Sequence, residues 1–319
     1  MTKRFQILSL DGGGLKGIFS AALLAHIEED CQTKIIDHFD LIAGTSTGGI
    51  VALGLAMGLS PREIVSFYVA KGPKIFANNP FSVAKQCVRN KYNPLQLELA
   101  LKECFGEKKL ADSLKRIVIP SYNIGEDDVY LFKTPHHQRL RRDYKVPVWK
   151  VAMATSAAPT YLPAFKGLDH VRLVDGGVWA NNPVMVAISE AISMLDVKMD
   201  EIYVMSVGTT YEVKGRSSKL DNGGFLQWKK DAVEVIMRAQ SIGTLNQAQH
   251  LLGKEHISRL DPKVPDGLFA LDKLSETELL AKASHESRHF TPVFQEKFRD
   301  HKAEEFIPLY TMEGENQHG

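Results

Sequence analysis

Phe39-Asp40-Leu41-Ile42-Ala43-Gly44-Thr45-Ser46-Thr47-Gly48-Gly49-Ile50-Val51-Ala52-Leu53 is the stretch whose reading decides the fold. Residues 39–43 have the length and apolar character of a short buried strand, and 50–57 read as the first turns of a buried helix. Between them stands G-x-S-x-G at Gly44, Ser46 and Gly48, the pattern of a serine carried on a sharp strand-to-helix turn. Such a turn strains the serine backbone and closes only if the residues two positions away lack side chains. The helix behind it aims free N–H groups and a positive dipole end at the serine oxygen, where negative charge develops during acyl transfer. A glycine-rich turn without chemistry is the plain alternative, and the flanking strand and helix argue against it.

A second block lies upstream. Residues 5–10 read as a strand, followed by Asp11-Gly12-Gly13-Gly14-Leu15-Lys16-Gly17 and an amphipathic helix over about 18–29. Gly12, Gly14 and Gly17 spell G-x-G-x-x-G, the dinucleotide-binding fingerprint. That fingerprint requires an acidic residue about 20 residues further on, at the end of the second strand. Here the second strand ends in Ala43 and runs into the serine turn instead. The glycines then have another use: Gly12, Gly13 and Gly14 can bring bare backbone N–H groups close to an oxyanion. Each such donor contributes about 2.7–4 kcal/mol of transition-state stabilisation.

The third block supplies a base. Residues 172–174 are strand-like and lead into Asp175-Gly176-Gly177-Val178-Trp179-Ala180-Asn181-Asn182-Pro183. An aspartate before two glycines is often only a turn. No histidine has a comparable strand-to-loop setting, and His170 is expected to lie across a turn from the strand. A Ser46–Asp175 dyad is therefore the economical assignment. An ordinary aspartate titrates near 3.9, so the base must be partly desolvated to be useful.

These blocks together resemble the patatin-like phospholipase family. Asp11 to Gly17 is similar to its oxyanion loop, with Lys16 where an arginine is more usual and Gly17 closing the motif. Gly44, Ser46 and Gly48 match its elbow, and Asp175, Gly176 and Gly177 its base. Ala154-Thr155-Ser156-Ala157-Ala158-Pro159-Thr160-Tyr161-Leu162-Pro163 is similar to a block lining the site beside the elbow. The resemblance implies fatty acyl ester cleavage by a serine–aspartate dyad, with no cofactor and no metal. Softer similarities lie at 67–76, at Lys91-Tyr92-Asn93-Pro94 and at 239–259. Through these the chain is most similar to bacterial patatin phospholipases that act as effectors of cyclic-oligonucleotide antiphage signalling. That implies a membrane phospholipid substrate, a cyclic di- or trinucleotide activator and a possible homo-oligomer.

Length and composition agree. Strand-like and helix-like segments alternate through 117–119, 129–132, 148–157, 184–195 and 202–207, which predicts an α/β fold with a mostly parallel central sheet and helices on both faces. A single domain over 1–319 is expected, with catalytic blocks within 5–210 and a helical part over about 225–305. Ser60-Pro61-Arg62-Glu63 is a capping box that opens a helix. Residues 211–224 are the expected flexible loop. Cys31, Cys87 and Cys104 have no disulfide-framework spacing, and the first apolar run is too short for a signal peptide. A cytoplasmic protein working peripherally on the inner face of the cell membrane is the expectation, with residues 41–59 as buried core.

Net charge is +1, so overall charge nominates no partner. Lys71, Lys74, Lys85, Arg89 and Lys91, interleaved with Phe76 and Phe81, suggest a lid or a lipid-facing surface. Lys133, Arg139, Arg141, Arg142 and Lys145 form a second basic group; charges paired with acids elsewhere are the alternative for both. No motif reads a nucleic-acid groove. His285-Glu286-Ser287-Arg288-His289 spells H-E-x-x-H, the zinc-protease signature. Its polar surroundings and Pro292 disfavour that reading. An ungated lipid acyl hydrolase and a non-enzymatic nucleotide-binding module remain as further alternatives.

Overall fold

The computed structural model describes residues 4–75, 91–213, 215, 218–224, 228, 231–265 and 276–313. Its main sheet uses β1 (Phe5–Leu10), β2 (Leu41–Gly44), β3 (Arg116–Asn123), β4 (Asp128–Lys133), β5 (Leu173–Asp175), β6 (Ile202–Val207) and β8 (Ile257–Leu260). The spatial order is β4-β3-β2-β1-β6-β8, with β5 also paired to β3. The β1–β2, β1–β6, β2–β3 and β6–β8 pairs are parallel. β4 and β5 run antiparallel to β3.

Period-2 alternation along the strands divides the interior into two cores. Leu8, Leu10, Ile42, Ile117, Ile119, Met205 and Val207 point to one face, where they meet α1 (Gly17–Cys31), α2 (Thr47–Ala56), α3 (Pro61–Ile75) and α5 (Val148–Thr155). Ile7, Leu41, Ala43, Val118 and Val204 point to the other, against α7 (Val184–Leu195) and α8 (Asp231–Leu252). Buried on both sides, the parallel strands read as nearly continuous apolar runs. No described helix is long and apolar enough to cross a membrane. Residues 41–57 are buried in this core rather than exposed to lipid.

The helix at 184–195 and the strand at 202–207 have the expected bounds. At Ser60, the Glu63 carboxylate accepts from both the backbone N–H and the hydroxyl at 2.7 Å, closing the capping box. α4 (Pro94–Phe105), capped by Asn93 with proline at its first position, was not anticipated. The expected loop at 211–224 begins instead with β7 (Tyr211–Val213), paired in parallel with β9 (Lys263–Pro265). The Arg238 guanidinium lies 3.5 Å over the Tyr211 ring and helps to fix that end. The C-terminal part holds α8 and α9 (Glu276–Lys297), and also the strands β8 and β9.

Candidate active site

Ser46 has φ 55° and ψ −123°, a backbone conformation that non-glycine residues rarely adopt, and it stands between β2 and α2. The surroundings hold it there. The Thr45 N–H donates to Leu10 O at 3.1 Å, and the Thr45 hydroxyl to Ala180 O at 2.6 Å. The Ser46 N–H donates to the Thr155 hydroxyl oxygen at 3.0 Å, and that hydroxyl donates to Pro120 O at 2.6 Å. The glycines of the motif allow the close approach: a Cβ on Gly44 would fall on the Gly48 carbonyl, and one on Gly48 on the Leu10 carbonyl. With α2 starting at Thr47, its free N–H groups lie directly behind the serine.

The sheet topology brings Asp175 to the serine across 129 residues of sequence. One edge of β3 pairs along its length with β4. The other edge is shared, with Arg116 to Val118 beside β2 and Ser121 to Asn123 beside β5. β5 therefore continues the row where β2 stops, and its last residue faces the elbow. Ser121 is the register partner of Asp175, and its hydroxyl donates to Val174 O at 2.7 Å. The Asp175 N–H donates to Ala157 O at 3.0 Å, so the 154–163 block flanks both members of the pair.

Ser46 is 8% exposed and Asp175 5%. Burial pushes the Asp175 carboxyl up from 3.8 to about 6, against hydrogen bonds from the Ser46 side chain and the Gly177 amide, the latter 2.6 Å from Oδ1. Among the described residues no histidine contributes to the titration of this carboxylate. His170 lies in a turn at φ 56°, before β5 begins. Gly176 packs against the Pro120 carbonyl, and Gly177 opens the short helix α6 (Gly177–Ala180).

The glycine loop runs beside the serine: a Cβ on Gly12 would lie 3.2 Å from Ser46 Cβ. The three glycines are not equivalent. The Gly12 N–H donates to Asn181 O at 3.0 Å, and the Thr209 hydroxyl donates to Gly12 O at 3.3 Å. Among the described residues the amides of Gly13 and Gly14 donate to no acceptor. Lys16 donates from its backbone to Gly13 O at 3.3 Å and from Nζ to Thr210 O at 3.1 Å, and Gly17 packs against Thr47 at the start of α2.

Asp11, the residue before these glycines, is held by Arg259 of β8 through two bonds of 2.8 and 2.6 Å. Arg259 also donates to the Ser206 hydroxyl at 2.7 Å and lies 3.2 Å from Asp261, which pairs with Arg238 of α8 at 2.9 Å. Asp11 and Asp261 push the Arg259 guanidinium well above its ordinary value, so it stays charged although buried. Sequence reasoning missed this network, as it missed Thr155 and Asn181 as contacts of Ser46 and Gly12. Arg259 was only the end point of a loosely similar stretch, and no local pattern pairs it with a residue 248 positions earlier.

The other sequence candidates lie elsewhere. His285 and His289 sit on the exposed side of α9 with ring centroids 5.4 Å apart, and Glu286 is paired with Lys282 at 2.6 Å. Among the described residues no group of three His, Cys, Asp or Glu side chains is arranged to hold a metal. In the basic groups, Lys71 pairs with Glu103 at 2.6 Å, and Lys133 pairs with buried Glu190, which also bonds His136. Arg142 pairs with Asp143 and stacks over Tyr130, while Arg141 lies over Tyr310. Phe76, Phe81, Lys85, Arg89 and Cys87 lie outside the described residues.

A model of the patatin-like phospholipase family matches residues 8–188, which hold the glycine loop, Ser46 and Asp175. A cGAMP-activated phospholipase of Pseudomonas aeruginosa is 31% identical over 314 residues, covering 94% of this chain and 93% of that one. A cGAMP-activated phospholipase of Escherichia coli is 37% identical over 224 residues, covering 66% of this chain and 63% of that one. Among solved structures, VipD of Legionella pneumophila has the same fold at a TM-score of 0.50 and 11% identity, covering 91% of this chain and 67% of that one. The chain belongs to the patatin-like phospholipase family and is a lipid acyl hydrolase.

Proposed function

We propose that the protein cleaves fatty acyl esters of membrane phospholipids with a Ser46–Asp175 dyad, and that a cyclic oligonucleotide switches it on. One observation carries the chemistry: a serine held at φ 55° on a strand-to-helix turn, beside a buried carboxylate that titrates near 6. A base at that value is ionised at neutral pH yet basic enough to take a hydroxyl proton during attack. Ser46 Oγ attacks the acyl carbonyl as its proton passes to Asp175. The free amides of Gly13 and Gly14 and the start of α2 hold the oxyanion. Asp175 then returns the proton to the glycerol oxygen as the lysolipid leaves. In the second half, Asp175 takes a proton from water as it attacks the acyl-serine, and returns that proton to Ser46 Oγ as the fatty acid leaves.

The gate rests on the relationship across nearly the whole chain to a phospholipase named as cGAMP-activated. Inside a cytoplasm, at the inner face of the cell membrane, such an enzyme needs restraint. Moving a closed-to-open equilibrium from 1:99 to 99:1 requires an effector to bind the open form about 10⁴-fold more tightly, roughly 5.5 kcal/mol. A cyclic nucleotide brings two or three phosphates to which arginines and lysines can bond. An ungated lipid acyl hydrolase is the second reading. Phospholipid hydrolysis by the pure protein, with and without a panel of cyclic di- and trinucleotides, separates the two. Low basal activity raised by orders of magnitude by one nucleotide, with a change in oligomeric state, is expected; equal high activity throughout removes the gate and leaves the hydrolase.

A further inference from the structure

The catalytic blocks lie inside residues 8–188, yet the strongest polar grip on the glycine loop comes from residue 259. We propose that Arg259 is a positioning residue for the oxyanion loop: by clamping Asp11 it aims the Gly13 and Gly14 amides at the reacting carbonyl, and through Asp261 and Arg238 it ties that aim to α8. The inference rests on the reading of those two amides as oxyanion donors.

Four observations carry it. Arg259 binds Asp11 with both oxygens engaged, at 2.8 and 2.6 Å, which fixes the orientation of the carboxylate as well as its position. Asp11 is covalently next to Gly12, and its N–H continues the sheet by donating to Val207 O at 3.0 Å. Among the described residues the loop beyond it is also held by the Gly12–Asn181 and Thr209–Gly12 bonds, by Lys16 contacts and by the Gly17 N–H to Gly14 O and Leu15 O. Finally, α8 touches the loop by two routes. Arg238 reaches Asp261 at 2.9 Å, and Ser241 accepts from the Asn181 side chain at 3.2 Å, while the Asn181 carbonyl accepts from Gly12. A shift of α8 would move both supports together, so the aim of the amides depends on a helix outside the catalytic blocks. An oxyanion donor displaced by a fraction of an ångström is worth little, because it must point at where the oxyanion forms.

The test compares wild type, Arg259→Gln, Arg259→Lys, Asp11→Asn and the Asp11→Asn/Arg259→Gln double variant, with Ser46→Ala in parallel. Each soluble, folded sample is assayed on a short-chain acyl ester and titrated with a trifluoromethyl ketone, which forms an oxyanion on a nucleophilic serine. In Arg259→Gln, kcat per folded enzyme is expected to fall about 10²-fold, with KM nearly unchanged and ketone affinity lost in step. Arg259→Lys, which keeps the charge without the fork, should recover part of both. The double variant should be no worse than the poorer single one, because the pair acts as a unit. It also removes both charges together and so guards against a variant that fails to fold. A wild-type kcat in folded Arg259→Gln, or a reduced kcat with unchanged ketone affinity, overturns the inference while Ser46→Ala stays inactive. Activity retained in Ser46→Ala would overturn the dyad reading and this inference with it.

Discussion

Two strands of this protein end in the same three letters. Asp11-Gly12-Gly13 follows β1 and Asp175-Gly176-Gly177 closes β5, and both aspartates are buried at the same end of the sheet. Their surroundings differ, and so do the duties proposed for them. Asp11 faces a guanidinium that engages both its oxygens, so its charge is neutralised and its position fixed. Burial pushes both carboxyls up to about 6, and what opposes it differs: the Arg259 guanidinium at Asp11, and among the described residues only the Ser46 side chain and one backbone N–H at Asp175. A paired carboxylate is an anchor; an unpaired, desolvated one is available as a base. The tripeptide alone cannot say which is which.

The largest effect that would break this contrast is on turnover. Asp175→Asn and Ser46→Ala should each remove ester hydrolysis by at least about 10⁴-fold, with the double variant no worse than either. Measured on the same ester, a residual activity within tenfold of wild type in either single variant would contradict the assignment. A chelator should change nothing in this assay, and neither should His289→Ala, whose side chain is on the exposed side of α9.

The next effect is on pH dependence. An Asp175 that must be ionised to act gives a kcat/KM that falls about tenfold per pH unit below about 6. A flat profile down to pH 4.5 would show that this carboxylate is not the base.

Stability sharpens the contrast through opposite signs. Asp175 titrates higher in the folded protein than its ordinary 3.8, so its ionisation costs stability: none below 3.8, increasing as pH rises, and complete above about 6. At pH 7 the cost is up to about 3 kcal/mol. Asp175→Asn should therefore raise Tm at pH 7, with the gain fading towards pH 4. Burial pushes Asp11 up to about 6 as well, so the difference in sign comes from its cation: Asn there leaves the buried Arg259 guanidinium with only Asp261 to compensate, and should cost about 3 kcal/mol. Thermal melts of both variants at pH 7 and pH 4.5 test this, and Tm shifts of the same sign at pH 7 would undo the distinction. The smallest effect is at the elbow. Ser46→Gly should be about 1 kcal/mol more stable to urea than Ser46→Ala, because only glycine adopts φ 55°, ψ −123° without strain.

The Ser46 turn, the glycine loop and the Asp175-Gly176-Gly177 turn were legible as places in the fold because each is a short contiguous motif with a local physical reason. The strands and helices around them were legible because two-sided burial leaves unbroken apolar runs, as in 41–44 and 202–207. What escaped was assembled from distant residues. Nothing local joins Ser121 to Asp175, Thr155 to Ser46, or Arg259 to Asp11, since sheet pairing sets those contacts. β8 escaped for a related reason: Ile257-Ser258-Arg259-Leu260 carries polar residues that a parallel strand rarely shows, and one of them is the clamp. For the basic clusters the sequence left open and paired charge as alternatives: only the fold brings Glu103 to Lys71 and Glu190 to Lys133, whereas Arg142 pairs with its own neighbour Asp143.

The most direct test of the dyad is covalent. Pure protein treated with a fluorophosphonate, then digested and analysed by mass spectrometry, should carry one adduct, on the peptide containing Ser46, in step with loss of acyl ester hydrolysis. Asp175→Asn should label far more slowly at pH 7. An adduct on another residue, or full hydrolysis by protein fully labelled at Ser46, would contradict the assignment.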